Sequence, residues 1–98
     1  MRSLTQGDIA AAARALLAHP EAERAARLRV MLDEAHAADR YRRVFGRSHP
    51  RLGNGTLMAA ALAQGCLPEP PAGDRAYLRT MAQVIEAVLD WYAARAGK

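Results

Sequence analysis

The sequence predicts an all-α chain of three to four helices, with one long spine helix, a C-terminal amphipathic helix and an oligomeric assembly. Three observations carry that prediction. Apolar residues recur at three- and four-residue steps, capping residues precede those runs, and proline or glycine closes them.

The first helix is expected from about Gln6 to Ala18. Thr5 and Asp8, three apart, form a capping pair, and Ile9, Ala12, Ala13, Leu16 and Leu17 make a narrow apolar face. So short a helix is not stable alone and must dock on the next. His19-Pro20 ends it. Pro20 suits the first position of a second helix, and Glu21 and Glu23 complement that helix's positive end. The second helix runs to about Phe45, with Gly46 as its stop. Leu28, Met31, Ala35, Ala38 and Phe45 fall on a heptad seam that Arg42 interrupts, so this helix reads as the spine.

A loop from Arg47 to Gly55 leads to a third helix, about Thr56 to Gln64, closed by Gly65. The stretch CLPEPPAG, residues 66–73, holds three prolines in four positions and is a stiff, extended connector. Asp74 is placed to cap a fourth helix reaching about Arg95. Leu78, Met81, Ile85, Val88 and Tyr92 make one seam of that helix, and Tyr77, Val84 and Trp91 a second beside it. Two adjacent seams suggest two partners, one of them another subunit; the plain alternative is that both seams fill one intramolecular core. The oligomer interface is therefore expected at Leu78, Met81, Ile85, Val88, Trp91 and Tyr92. This divides the chain into an N-terminal helical region (1–65), a connector acting as hinge (66–73) and a C-terminal arm (74–98).

Ninety-eight residues make one small core, and a core this size often relies on assembly. The hydrophobic fraction of 51% excludes a wholly disordered chain, although much of it is alanine. The net charge is +4 and the pI near 10.0. Lys98 is the sole lysine; every other basic residue is arginine, whose planar fork suits phosphate and carboxylate. A high-GC coding bias accounts for much of that ratio, but less well for the clustering. The single cysteine, Cys66, excludes an internal disulfide and suits a reducing cytoplasm. The opening MRSLTQGDIA lacks a signal-peptide pattern, and no apolar run approaches the ~20 residues that span a membrane.

The strongest functional signal is Arg40 to Thr56, RYRRVFGRSHPRLGNGT. It holds Arg40, Arg42, Arg43, Arg47, Arg51 and His49 with no acidic residue, at a junction between helices. Such a concentrated positive field suits nucleic acid or an acidic protein surface. The plain alternative is a solvated helix end, since the macrodipole alone favours arginine there. Arg24 and Arg27 extend the basic face along the second helix. Tyr41 is the expected stacking residue, because Phe45 is assigned to the core seam. Gly53, Asn54, Gly55 and Thr56 offer an anion nest at a helix start, although the lysine of a Walker motif is absent; a glycine turn with a threonine cap is the simpler reading.

Catalysis finds little support. His19, His36 and His49 are too far apart for a local metal motif, and His36 with Asp39 on one face reads better as part of a surface ion-pair network. Cys66 has no adjacent base. No enzyme activity, cofactor or metal is expected.

The segment ADRYRRVFGRSHPRLGNGTLMAAALA, Ala38 to Ala63, together with GDIAAAARALLAHP, resembles a family of short alanine-rich alphaproteobacterial proteins. It is similar to the small terminase subunit of gene transfer agents, phage-like particles that package host DNA. His49-Pro50, Gly53-Asn54-Gly55 and Leu57-Met58 are the most specific part, and the likeness covers about the first two-thirds of the chain. The resemblance implies a non-enzymatic packaging adaptor that forms rings, binds DNA and hands it to a large terminase subunit. The chain departs from common phage versions in lacking a clear helix-turn-helix before the long helix, which favours weak, non-specific DNA binding. The alternative is a helical interaction or regulatory module whose arginines meet an acidic partner.

Overall fold

The computed structural model describes residues 1–96, and their regular elements are α1 (Gln6–Leu17), α2 (Glu21–Phe45), α3 (Leu57–Gln64) and α4 (Arg75–Ala96). Local chemistry sets the ends. Thr5 Oγ1 accepts from the Asp8 amide at 3.2 Å while Asp8 Oδ2 accepts from the Thr5 amide at 2.7 Å, a closed capping box. Gly46 ends α2 in the left-handed conformation, φ 71°, its N–H donating to Arg42 O. Thr56 caps α3 by accepting from the Ala59 amide at 3.1 Å, and Asp74 Oδ1 accepts from the Tyr77 amide at 2.9 Å as α4 begins. Pro20 lies one position before α2, as its N-cap, rather than in its first turn.

The spine of the sequence reading is not the centre of the fold. At 25 residues α2 is about 37 Å long and sets the 40 Å long dimension. The centre is α1, which packs most extensively on α3 and α4. Ala11, Ala12, Ala13, Ala15 and Leu16 are all buried, so the narrow face expected of α1 is an almost complete burial. Alanine allows this because a methyl side chain lets neighbouring backbones approach from several sides. Larger residues from the other helices fill the remaining space, chiefly Met31, Leu32, Leu57, Val84 and Trp91. Each contributes about 1.5–3 kcal/mol by leaving water.

Such packing leaves no room for growth along α1. Replacing Ala12 with leucine is expected to destabilise the chain by about 2 kcal/mol, by overpacking. A thermal melt followed by circular dichroism should show a Tm lower by on the order of 10 °C.

The fourth helix is not a detached arm. Tyr77, Val84, Val88 and Trp91 are buried in the same core as α1 and α2. The Trp91 indole N–H donates to Asp33 Oδ1 at 3.4 Å, and its ring meets His36 edge-on at 5.4 Å. The connector is tethered as well. Arg14 Nε donates to Leu67 O at 2.8 Å, and the Leu67 amide returns to Arg14 O. The Cys66 thiol donates to Ala11 O at 3.3 Å, and burial pushes its pKa up, so it remains a thiol. The last two residues of the expected C-terminal region, 97 and 98, lie outside the described residues. No helix among the described residues is long and apolar enough to cross a membrane.

Candidate functional site

The buried stripe of α2 runs Leu28, Met31, Leu32, Ala35, Ala38 and Asp39, and there it stops. Beyond Asp39 the helix overhangs the core. Phe45, assigned to the core by its heptad position, is instead 59% exposed, and Val44 is 75% exposed. The Phe45 ring lies 4.5 Å from that of Tyr41, and Tyr41 also meets the His49 ring at 4.8 Å. The overhang therefore carries an aromatic cluster, with arginines on the same turns.

The turn after α2 is built from its own side chains. His49 and Gly53 exchange backbone hydrogen bonds of 2.9 and 3.2 Å. His49 Nδ1 accepts from the amides of Arg51 and Leu52, both at 3.0 Å. Asn54 Oδ1 accepts from the Thr56 amide at 3.1 Å and the Thr56 hydroxyl at 2.7 Å. These bonds correct the anion-nest expectation. Several amide donors of Gly53–Thr56 and of the α3 start are already used. The anion at that helix end is a residue of the chain itself: Asp8 Oδ1 accepts from the Met58 amide at 2.9 Å. Asp8 thus caps α1 and α3 together, which explains its burial.

The arginines divide into two groups. Arg42 and Arg43 hold Asp39, at 2.9 Å to Oδ1 and 3.1 Å to Oδ2. The amine of Met1 lies 3.4 Å from the same Oδ2 and 3.0 Å from His36 Nδ1. Asp39 is only 2% exposed. Burial pushes its carboxyl up, but the Arg42 hydrogen bond, the Met1 ammonium and Arg43 outweigh burial and hold it below the usual carboxylate range. Burial pushes the His36 imidazole down, and the neighbouring cations add to that, so it is neutral. The pairing of His36 with a surface carboxylate network gives way to a buried carboxylate clamped by arginines.

Arg40, Arg47 and Arg51 form the second group. All three are exposed and none makes an ion pair or a side-chain hydrogen bond among the described residues. Arg24 leaves the basic face: its Nε donates to Leu16 O and His19 O, both at 3.1 Å, closing the C-terminus of α1. Arg27 pairs with Glu23 at 3.6 Å. One arginine joins the junction from far away in sequence. The Arg2 amide donates to Gly55 O at 2.8 Å, and its exposed side chain extends from that anchor. No local pattern could have placed it there.

The expected oligomer residues separate in a similar way. Val88 and Trp91 belong to the intramolecular core, and Met81 packs at its edge. Leu78, Ile85 and Tyr92 stay exposed.

The family model described as a domain of unknown function (DUF7742) matches residues 2–88. The chain belongs to that family. Its description assigns no activity, and the match makes no link to a small terminase. No curated protein and no solved structure matches the chain.

Proposed function

We propose that this member of the DUF7742 family binds duplex DNA, weakly and with little sequence selectivity, and acts as a non-enzymatic packaging adaptor for a large terminase subunit. The observation that carries the DNA reading is the trio Arg40, Arg47 and Arg51: exposed, without an internal partner among the described residues, and set beside Tyr41 and Phe45. Cations without an internal counter-charge are available to displace condensed counterions from a phosphate backbone. The sequence departs from common phage versions in lacking a clear helix-turn-helix before the long helix, which favours contacts to phosphates over base edges. The packaging role rests on the resemblance of Ala38 to Ala63 to small terminases. A large terminase gene beside this one would support it, and its absence across several genomes would remove it.

The second reading, a module for an acidic protein partner, is favoured by Val44 and Phe45. Phe45, exposed with Tyr41 amid arginines, has the aromatic and arginine composition of protein interfaces, and Val44 adds apolar area beside it.

The test is a duplex titration in a gel or by anisotropy. Changing Arg40, Arg47 and Arg51 together to alanine should abolish retention at ~50 mM salt while leaving helicity intact. Changing Arg14, Arg24 and Arg27 instead should leave DNA affinity nearly unchanged. For the unmodified chain, log affinity should fall against log salt with a slope of roughly −0.9 per phosphate contact. No detectable binding by the unmodified chain at that salt overturns the DNA reading and assigns the arginines to a protein partner.

A further inference from the structure

The outer face of α4 carries a stripe that none of the described residues covers. Leu78 is 48% exposed, Ile85 43%, Leu89 57% and Tyr92 41%. The core faces Tyr77, Val84, Val88 and Trp91 instead. Helical geometry puts the four exposed residues on one side, because 78, 85 and 92 are seven apart and 89 is four from 85.

The charges beside this stripe are not evenly spread. Arg75 and Arg79 lie in its N-terminal half, Glu86 and Asp90 in its C-terminal half, and all four are exposed. None of them makes an ion pair among the described residues. Reversed about Ile85, Arg79 falls one residue from the level of Asp90, whereas Arg75 falls level with position 95 and Glu86 near its own counterpart, so the complementarity rests on Arg79 and Asp90. Ile85 is the midpoint between Leu78 and Tyr92, and Arg79 and Asp90 stand six residues before it and five after it.

We propose that α4 pairs with α4 of a second copy of this chain, antiparallel, about a two-fold axis at Ile85. Ile85 then packs on its own counterpart, and Leu78 meets Tyr92 of the partner subunit. Arg79 comes within one residue, about 1.5 Å, of the level of Asp90 of the partner subunit, and Asp90 likewise of the partner's Arg79, within reach of both side chains. A parallel pair would instead set arginine level with arginine and acid level with acid. Antiparallel helix dipoles favour the same arrangement. Arg95 does not disturb it, because its guanidinium lies 4.0 Å over the Trp91 ring, toward the core side. The pair is isologous and closes on itself. A contact of one helix face per subunit falls among the small, weak interfaces, below about 1,200 Å² in total, and a micromolar Kd is expected. The proposal is independent of DNA binding and stands or falls without it.

Sedimentation of the full chain from about 1 to 200 µM, a range bracketing that Kd, tests it. A monomer–dimer equilibrium is expected. Ile85→Glu should leave a folded monomer throughout, since the position is on the surface; circular dichroism verifies the fold. Arg79→Asp and Asp90→Arg should each weaken dimerisation about tenfold, and the double variant should restore it, because each reversed charge then faces the other. In a Cys66→Ser background, Ile85→Cys should cross-link to itself on oxidation. Leu78→Cys should cross-link only when mixed with Tyr92→Cys. A monomer at every concentration, a dimer indifferent to Ile85→Glu, or a double variant no better than the singles overturns the proposal.

Discussion

Replacing Gly55 with alanine is expected to cost about 3 kcal/mol of folding free energy. Two independent terms contribute. Gly55 has φ of 92°, a conformation that an L side chain adopts only with strain of about 1–2 kcal/mol. A Cβ there would also lie 2.8 Å from Asp39 Cα, 2.8 Å from Asp39 Cβ and 3.0 Å from Asp39 N. Those atoms belong to the body of α2 and cannot swing aside, so the loop itself would have to retreat, at a further cost of about 1–3 kcal/mol. For a chain of this size the total stability is about 5–15 kcal/mol. Urea denaturation of the variant should show a lower midpoint with an unchanged m value. The retreat would also loosen the Arg2 anchor on Gly55 O and the start of α3. An unchanged midpoint would mean that the loop does not depend on this close approach.

The same contact shows which parts of the molecule were legible in the sequence. The helix ends were, because each is decided within four residues: Thr5 with Asp8, Gly46, Thr56, Asp74. The faces were legible only in part. Periodicity showed that α4 has two adjacent apolar seams but could not show that the core takes the whole second seam and only Val88 and the edge residue Met81 of the first. Val84, Val88 and Trp91 turned inward, and Ile85, Leu89 and Tyr92 outward. Phe45 was misplaced for a related reason. Its heptad position falls on the core seam, but the buried stripe of α2 ends at Asp39, nearly two turns before it, and Phe45 is left exposed against Tyr41.

At the basic junction the density of arginine was plain from the sequence, and its division was not. The spacing of Asp39 to Arg42 and Arg43 is the i,i+3 and i,i+4 pairing of a helix, so the ion pairs themselves were available to inspection. What could not be seen is that Asp39 would be buried beneath Gly55. Burial turns an ordinary surface pair into a clamp that gives two arginines a fixed counter-charge, although Arg43 itself stays exposed. Counting charges along the chain therefore overstates the free cations at α2 and misses Arg2, which arrives from the other end of the sequence.

Asp39 consequently sets stability against binding, and Asp39→Asn is expected to move the two in opposite directions. The amide keeps the shape of the side chain but gives up its charge. Arg42, whose Nε is already buried without a partner, and Arg43 would lose their counter-charge, as would the Met1 ammonium. Breaking a buried pair by removing one member costs about 3–5 kcal/mol; Arg43 is largely exposed and relaxes into water, which places the expected loss near 3 kcal/mol. The pH dependence identifies the cause. Because the folded carboxyl titrates below its ordinary value, its stabilisation is complete above about pH 4 and is lost as pH falls through the lower, folded value. The unmodified chain should show that acid loss, and Asp39→Asn should lose the part due to this group. Meanwhile Arg42 and Arg43 would become available to phosphate. Duplex affinity at ~50 mM salt should rise about three- to tenfold, and the salt slope should steepen by about one to two contacts. The measurement is a DNA titration at a temperature where circular dichroism shows the variant fully folded. A fall in affinity in step with stability would mean that Arg42 and Arg43 need Asp39 to hold them in place. A gain in affinity from a weaker fold would mean that Asp39 holds in reserve part of the charge that the binding surface uses.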